Sequence, residues 1–211
     1  MAVAMGMDTA PEYPVRFNIV RPASQSRLTN FPLGIGTLIR GILLIPHLVI
    51  LYFLQILAQL VFLIATFAIL FTGRYPEGMR NLYVGYLRWT ANVYGYFGSL
   101  FDNYPPFSTD PQADYPLTLE IDRAESLSRL LNFPFIGLII KFILLIPHYV
   151  CLFFLSIVGF LAVFIAQFAI LFSGSFPEGM HSFVTGVGRW NMRLSAYQYS
   201  LTDKYPPFSL N

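Results

Sequence analysis

Charge is scarce in this sequence. Only 13 basic and 11 acidic side chains serve 211 residues, so 11% of the chain is charged. A soluble domain ordinarily carries about 25%. A water-soluble globule of this size cannot cover its surface with so few, and the mean hydropathy of +0.58 agrees. Cysteine is nearly missing as well: the single Cys151 excludes a disulfide scaffold. A net charge of +2 is too small an excess for a nucleic-acid surface. Residues 1–14 contain neither a basic n-region nor an apolar h-region, so no cleaved leader is expected, and Met5 and Met7 are alternative starts. The catalytic signatures are absent too: no His-Glu-x-x-His, Gly-x-Ser-x-Gly, Walker loop or Cys-x-x-Cys. The expectation is therefore not an enzyme.

What the chain has in quantity is apolar and aromatic residues, 55% and 17%. This excludes disorder and points to an all-α integral membrane protein. It also has an internal repeat. Asn30-Phe31-Pro32 returns as Asn132-Phe133-Pro134, and Leu43-Leu44-Ile45-Pro46-His47 as Leu144-Leu145-Ile146-Pro147-His148. Pro76-Glu77-Gly78-Met79 returns as Pro177-Glu178-Gly179-Met180, Arg88-Trp89 as Arg189-Trp190, and Tyr104-Pro105-Pro106-Phe107-Ser108 as Tyr205-Pro206-Pro207-Phe208-Ser209. Ordered matches of this kind divide the chain into a tail (1–12), repeat one (13–108), a linker (109–114) and repeat two (115–211).

Each repeat opens with a short strand. Leu117, Leu119 and Ile121 alternate with Thr118, Glu120 and Asp122, and Val15, Phe17 and Ile19 alternate with Arg16 and Asn18. Two such strands suit pairing with each other. Apolar runs follow at 33–72 and 135–173. Forty helical residues would measure about 60 Å, twice the hydrocarbon thickness. Pro46 and Pro147 are the expected breaks, leaving a short segment on which Arg40 and Lys141 snorkel toward headgroups and a full span at about 48–72 and 149–173. A tight turn then leads into an aromatic-rich helix at about 77–101 and 178–202. The expected topology has two embedded helices per repeat beyond the short segment. Similar basic residues in both repeats orient them alike, because cationic loops favour one side.

Two stripes repeat at steps of three and four. On the long helices Ala58, Ala65 and Ala68, and Gly159, Ala162, Ala166 and Ala169, make a seam of small residues for close helix packing. On the aromatic helices the stripe holds Asn81, Gly85, Arg88, Asn92, Gly95 and Ser99 in repeat one. In repeat two it holds Ser182, Gly186, Arg189, Arg193, Ala196 and Ser200. Arginine facing lipid at mid-depth costs roughly 3 kcal/mol or more, so Arg88, Arg189 and Arg193 must meet phosphates or the carbonyls and carboxylates of another segment. Glu77 and Glu178 suit the first turn of a helix, where a carboxylate complements the dipole. Asp102 and Asp203 suit a cap or turn. His181 reads as facing headgroups, and Cys151 as buried. The paired His47 and His148 are the candidate cofactor ligands, for haem or a pigment metal, against the plainer reading of a histidine that satisfies a kinked helix. No metal site and no cofactor are otherwise expected.

The run Gly73-Arg74-Tyr75-Pro76-Glu77-Gly78, the Arg88-Trp89 pair and Asp203-Lys204-Tyr205-Pro206-Pro207-Phe208 resemble a bacterial membrane family, domain of unknown function 4389, and both repeats look like members. The resemblance implies bacterial origin and residence in the inner membrane, and it brings no activity or site residues. The expected function is that of a multi-pass accessory, anchoring or assembly subunit. Its partners would be membrane lipids and other membrane subunits or a second copy, with no nucleic acid. The alternative is a protein that binds or transports a lipid or other apolar molecule between the two repeats.

Overall fold

A computed structural model describes residues 13–211; the expectations for the leader and the start codon lie outside the described residues. The elements run β1 (Val15–Ile19), α1 (Ile35–Thr72), α2 (Glu77–Phe97), β2 (Leu117–Ile121), α3 (Ile136–Ser173) and α4 (Glu178–Gln198). The fold is mostly helical and built from two tandem units. α1 and α3 are long and apolar enough to cross a membrane.

The period-two pattern does its work at the strands. β1 and β2 pair antiparallel with Phe17 opposite Leu119. Val15, Phe17, Ile19, Leu117, Leu119 and Ile121 are all buried on one face, and Arg16, Asn18, Thr118 and Glu120 are exposed on the other. On that outer face Arg16 holds Asp122 through both guanidinium ends, at 2.8 and 2.6 Å, and Glu120 at 3.1 Å. These hydrogen bonds hold the Asp122 carboxyl below the usual carboxylate range. A carboxyl depressed in the folded state adds stability above its unfolded pKa and loses that contribution as pH falls through the folded value. The Asp122 midpoint, followed by NMR, is therefore expected below the ordinary range and should return to it in Arg16→Ala. An unmoved midpoint would discount the pair.

The long helices differ from the sequence expectation. Neither proline breaks its helix: α1 and α3 each run 38 residues, with Pro46 and Pro147 inside them. Pro46 removes the donor that Ile42 O would receive. One carbonyl further on, the Tyr104 hydroxyl donates to Leu43 O at 2.7 Å, and Tyr205 does the same to Leu144 O at 2.8 Å. The helices end instead at Gly73 and Gly174, whose positive φ (70° and 79°) closes the last turn without the penalty a Cβ would bring.

Strands and helices cross between repeats. α1 packs on α2 and α3 on α4, but β1 packs on α4 and β2 on α2. Each repeat thus lends its strand to the other's aromatic helix, and the two units interlock. The sheet covers α2 and α4, which in turn lie on α1 and α3. Equivalent hydrogen bonds close the two ends: Gln25 N donates to Gly174 O at 2.7 Å, and Leu127 N to Gly73 O at 2.8 Å. Of the small-residue seam, Ala58, Ala65, Gly159, Ala162 and Ala166 are buried, and Ala68 and Ala169 half-buried. The outward faces of α1 and α3 stay apolar and open, Phe53 at 65% and Phe160 at 70% exposure. Cys151 lies on this exposed surface, not in the interior.

Candidate functional site

The motifs that repeat converge on one arrangement, built twice. α1 carries His47 and α2 carries Trp89 to the same depth. The Trp89 Nε1–H donates to His47 Nδ1 at 2.9 Å, and Trp190 donates to His148 at 2.9 Å. Indole nitrogen only donates, so His47 and His148 are neutral here, with the proton on Nε2. The tail after α2 then folds back: Phe107 stacks on His47 with centroids 3.8 Å apart, and Phe208 on His148 at 3.7 Å. Tyr104 meets the same imidazole edge-on at 4.9 Å, and Tyr205 its counterpart at 5.1 Å. Both histidines are fully buried, and Nε2 of each is without a hydrogen-bond partner among the described residues.

Two turns earlier on the long helix sits a second cluster. Arg40 is fully buried and does not snorkel, contrary to the sequence expectation. Its guanidinium donates to Thr29 O at 2.9 Å, Tyr96 O at 2.6 Å, Phe101 O at 2.9 Å, Asn30 Oδ1 at 2.8 Å, and to the Asp102 carboxylate. Asp102 also accepts from Ser26 N and from Asn30 Nδ2. Sharp left-handed turns at Ser99 and Ser200 (φ 59° and 60°) return the chain so that the aspartates reach the base. In repeat two Lys141, also buried, donates to Asn132 Oδ1 at 2.6 Å and Ser200 Oγ at 3.0 Å, with Asp203 at 3.9 Å. A point-like ammonium with three donors thus replaces a five-donor fork. Both clusters use the pairs 40/102 and 141/203, so the aspartates are ion-pair partners as well as turn residues.

The stripe on α2 and α4 receives the tail and the sheet. Arg88 donates to Thr109 O at 2.7 Å and Leu119 O at 3.3 Å; Arg189 donates to Leu210 O at 2.7 Å and Phe17 O at 2.9 Å. Arg193 is buried, donates to Ser209 O at 3.3 Å and stands over the Tyr13 ring at 5.5 Å. A Cβ on Gly85 would lie 2.7 Å from Thr109, so only glycine lets the tail lie flat there. Glu77 is exposed and pairs with Arg123 at 3.3 Å, and Glu178 is exposed at the equivalent turn. His181 is buried and reaches Leu100 O at 3.1 Å through Nε2, rather than facing outward. We expect Arg88→Leu or Arg189→Leu to cost about 1.5–3 kcal/mol for each charge-assisted hydrogen bond lost. Lysine should restore only part of it, as read from thermal unfolding in mild detergent. Parent-like melting of both leucine variants would show the contacts to be idle.

An apolar groove of about 740 Å³ opens between the repeats, lined by Thr37, Gly41, Ile45, Phe97, Phe160 and Val163 among others. Gln167 Nε2 donates to Thr37 Oγ1 at 2.8 Å across it. The equivalent position on the other side is filled, with Phe62 and Leu138 standing where Val163 and Thr37 stand here. Among the described residues no group of three or more histidine, cysteine or acidic side chains is gathered as a metal would need.

The convergence of His47, Trp89 and the Tyr-Pro-Pro-Phe tail accounts for the motifs that recur in the chain. A family model described as Domain of unknown function (DUF4389) matches residues 35–109 and again 136–209. The chain belongs to this family, in two tandem copies. Each DUF4389 match takes in one long helix, one aromatic helix and the tail that folds back on them, and begins after the strand. No curated protein and no solved structure matches the chain.

Proposed function

We propose that this DUF4389 protein is a non-catalytic membrane protein that serves as an accessory, anchoring or assembly subunit of a larger membrane complex. One observation carries the reading: along their whole length α1 and α3 expose leucine, isoleucine and phenylalanine. A contiguous apolar surface of this extent belongs in lipid or against another protein. Inside, Arg40, Arg88 and Arg189 fasten the tail to the helix pair and the strand to its neighbour, a framework role. Bacterial inner-membrane residence is what the family resemblance implies. The two apolar helices supply the anchorage, whether as several crossings or as segments lying within the bilayer.

Purification from native membranes in mild detergent tests the proposal. The expected result is assemblies well above the 24.0 kDa of one chain, containing either other membrane subunits or further copies. A single-chain species at every protein concentration would overturn the subunit role. A second reading has the groove beside Thr37 and Gly41 to recommend it: one acyl chain of a lipid fits an apolar trough between the repeats. Lipid retained through purification, and lost on Gly41→Phe, would favour it. Haem or pigment ligation through His47 and His148 has less in its favour, since Trp89, Tyr104 and Phe107 already close around the ring.

A further inference from the structure

We infer that the protein enters the membrane from one side only: α1 and α3 lie in a single leaflet and return both their ends to the polar side. The inference rests on the membrane reading above and fixes its geometry.

Symmetry carries the argument. β1 and β2 are antiparallel, Phe17 faces Leu119, and the same face of both strands is buried. Two antiparallel strands that bury one common face are related by a two-fold rotation perpendicular to the sheet. Equivalent residues of the two repeats therefore lie at equal height along that axis. Gly73 ends α1 and Gly174 ends α3, so these two share one height. Gln25, ten residues ahead of α1, is hydrogen-bonded to Gly174, and Leu127, nine residues ahead of α3, to Gly73. Inside the helices Thr37 is bonded to Gln167. Each long helix thus starts beside the end of the other, and by the symmetry it starts and ends at one height. A helix that returns to its starting height does not cross a slab laid perpendicular to that axis.

The other orientation, with the axis lying in the membrane plane, makes α1 and α3 antiparallel crossings. It fails on two counts. A 38-residue helix measures about 57 Å against a hydrocarbon core of about 30 Å. The sheet, which sits on the axis, would then lie at mid-bilayer, with Arg16, Glu120 and Asp122 on its exposed face. Charges at that depth are the most costly placement in a membrane. With the axis along the membrane normal, the same charges cap the water side. Glu77–Arg123 lies with them at the end of α1, and the open apolar residues of α1 and α3 meet acyl chains. The surface thus takes one phospholipid leaflet as its partner.

Impermeant maleimide labelling of the full chain in membranes tests this. Single cysteines are placed in Cys151→Ser ahead of and behind α1, as Leu28→Cys and Arg74→Cys; both positions are exposed. Arg27→Cys and Glu77→Cys form a second pair should either of the first not accumulate. Each pair is compared in spheroplasts and in inverted vesicles, after carbonate washing. Labelling of both members of a pair from the same side, with neither labelled from the other, is expected. Labelling of the two from opposite sides, in washed membranes that retain the protein, overturns the one-leaflet geometry and leaves the membrane reading intact. Release of the protein by carbonate overturns the membrane reading itself, and this inference with it.

Discussion

Asp102→Ala is expected to destabilise the protein by about 3–5 kcal/mol, the usual consequence of leaving a buried charge without its partner. Arg40 has no exposure, and Asp102 is the carboxylate in contact with it. The other acceptors around the guanidinium are neutral and satisfy its N–H groups without balancing its charge. Alanine also leaves Ser26 N and Asn30 Nδ2 without their shared acceptor. Arg40→Met in the Asp102→Ala background should recover much of the loss, because a buried pair replaced by an apolar side chain of similar volume is often neutral. Asp203→Ala should cost less: Lys141 stands 3.9 Å from Asp203 and donates its close hydrogen bonds to Asn132 Oδ1 and Ser200 Oγ. Thermal unfolding in one detergent at one protein concentration compares all four. Parent-like melting of Asp102→Ala, or no recovery in the double variant, would refute the account.

The contrast between Arg40 and Asp102 shows where a single sequence is informative. Strand placement followed from a period of two, because alternation at Leu117–Ile121 leaves no other way to bury one face. The repeat followed from ordered matches. Helix continuity through Pro46 did not follow, since it depends on Tyr104, 58 residues away, reaching the neighbouring carbonyl. Arg40 in an apolar run looks like a snorkelling residue until its partners come from three other segments. A signal was present all the same: a base at 40 and 141 and an acid at 102 and 203 recur in register in both repeats. The interlocking of strand with opposite helix had no such signal. Both Arg88 and Arg189 needed acceptors, but nothing in the chain distinguished the strand of one repeat from that of the other.

Trp89→Ala is expected to cost about 3–5 kcal/mol, in the range of large aromatic truncations, and Trp89→Phe about 1–3 kcal/mol, the penalty of a buried acceptor left unpaired. The two variants separate packing from hydrogen bonding. Phenylalanine keeps a ring against Phe107, 6.0 Å away by centroids, but supplies no donor to His47 Nδ1. Because the tail is held by the same imidazole, through Phe107 stacking and Tyr104 edge contact, its residues should lose protection from hydrogen exchange ahead of β2 and α4. His47→Leu combined with Trp89→Phe should cost less than the two single changes together, since removing both partners leaves no orphan behind. Nitrogen chemical shifts of His47 in the parent should report the neutral tautomer protonated on Nε2. An Nδ1-protonated ring, or strict additivity in the double variant, would show that the indole-to-imidazole bond does not fasten the tail.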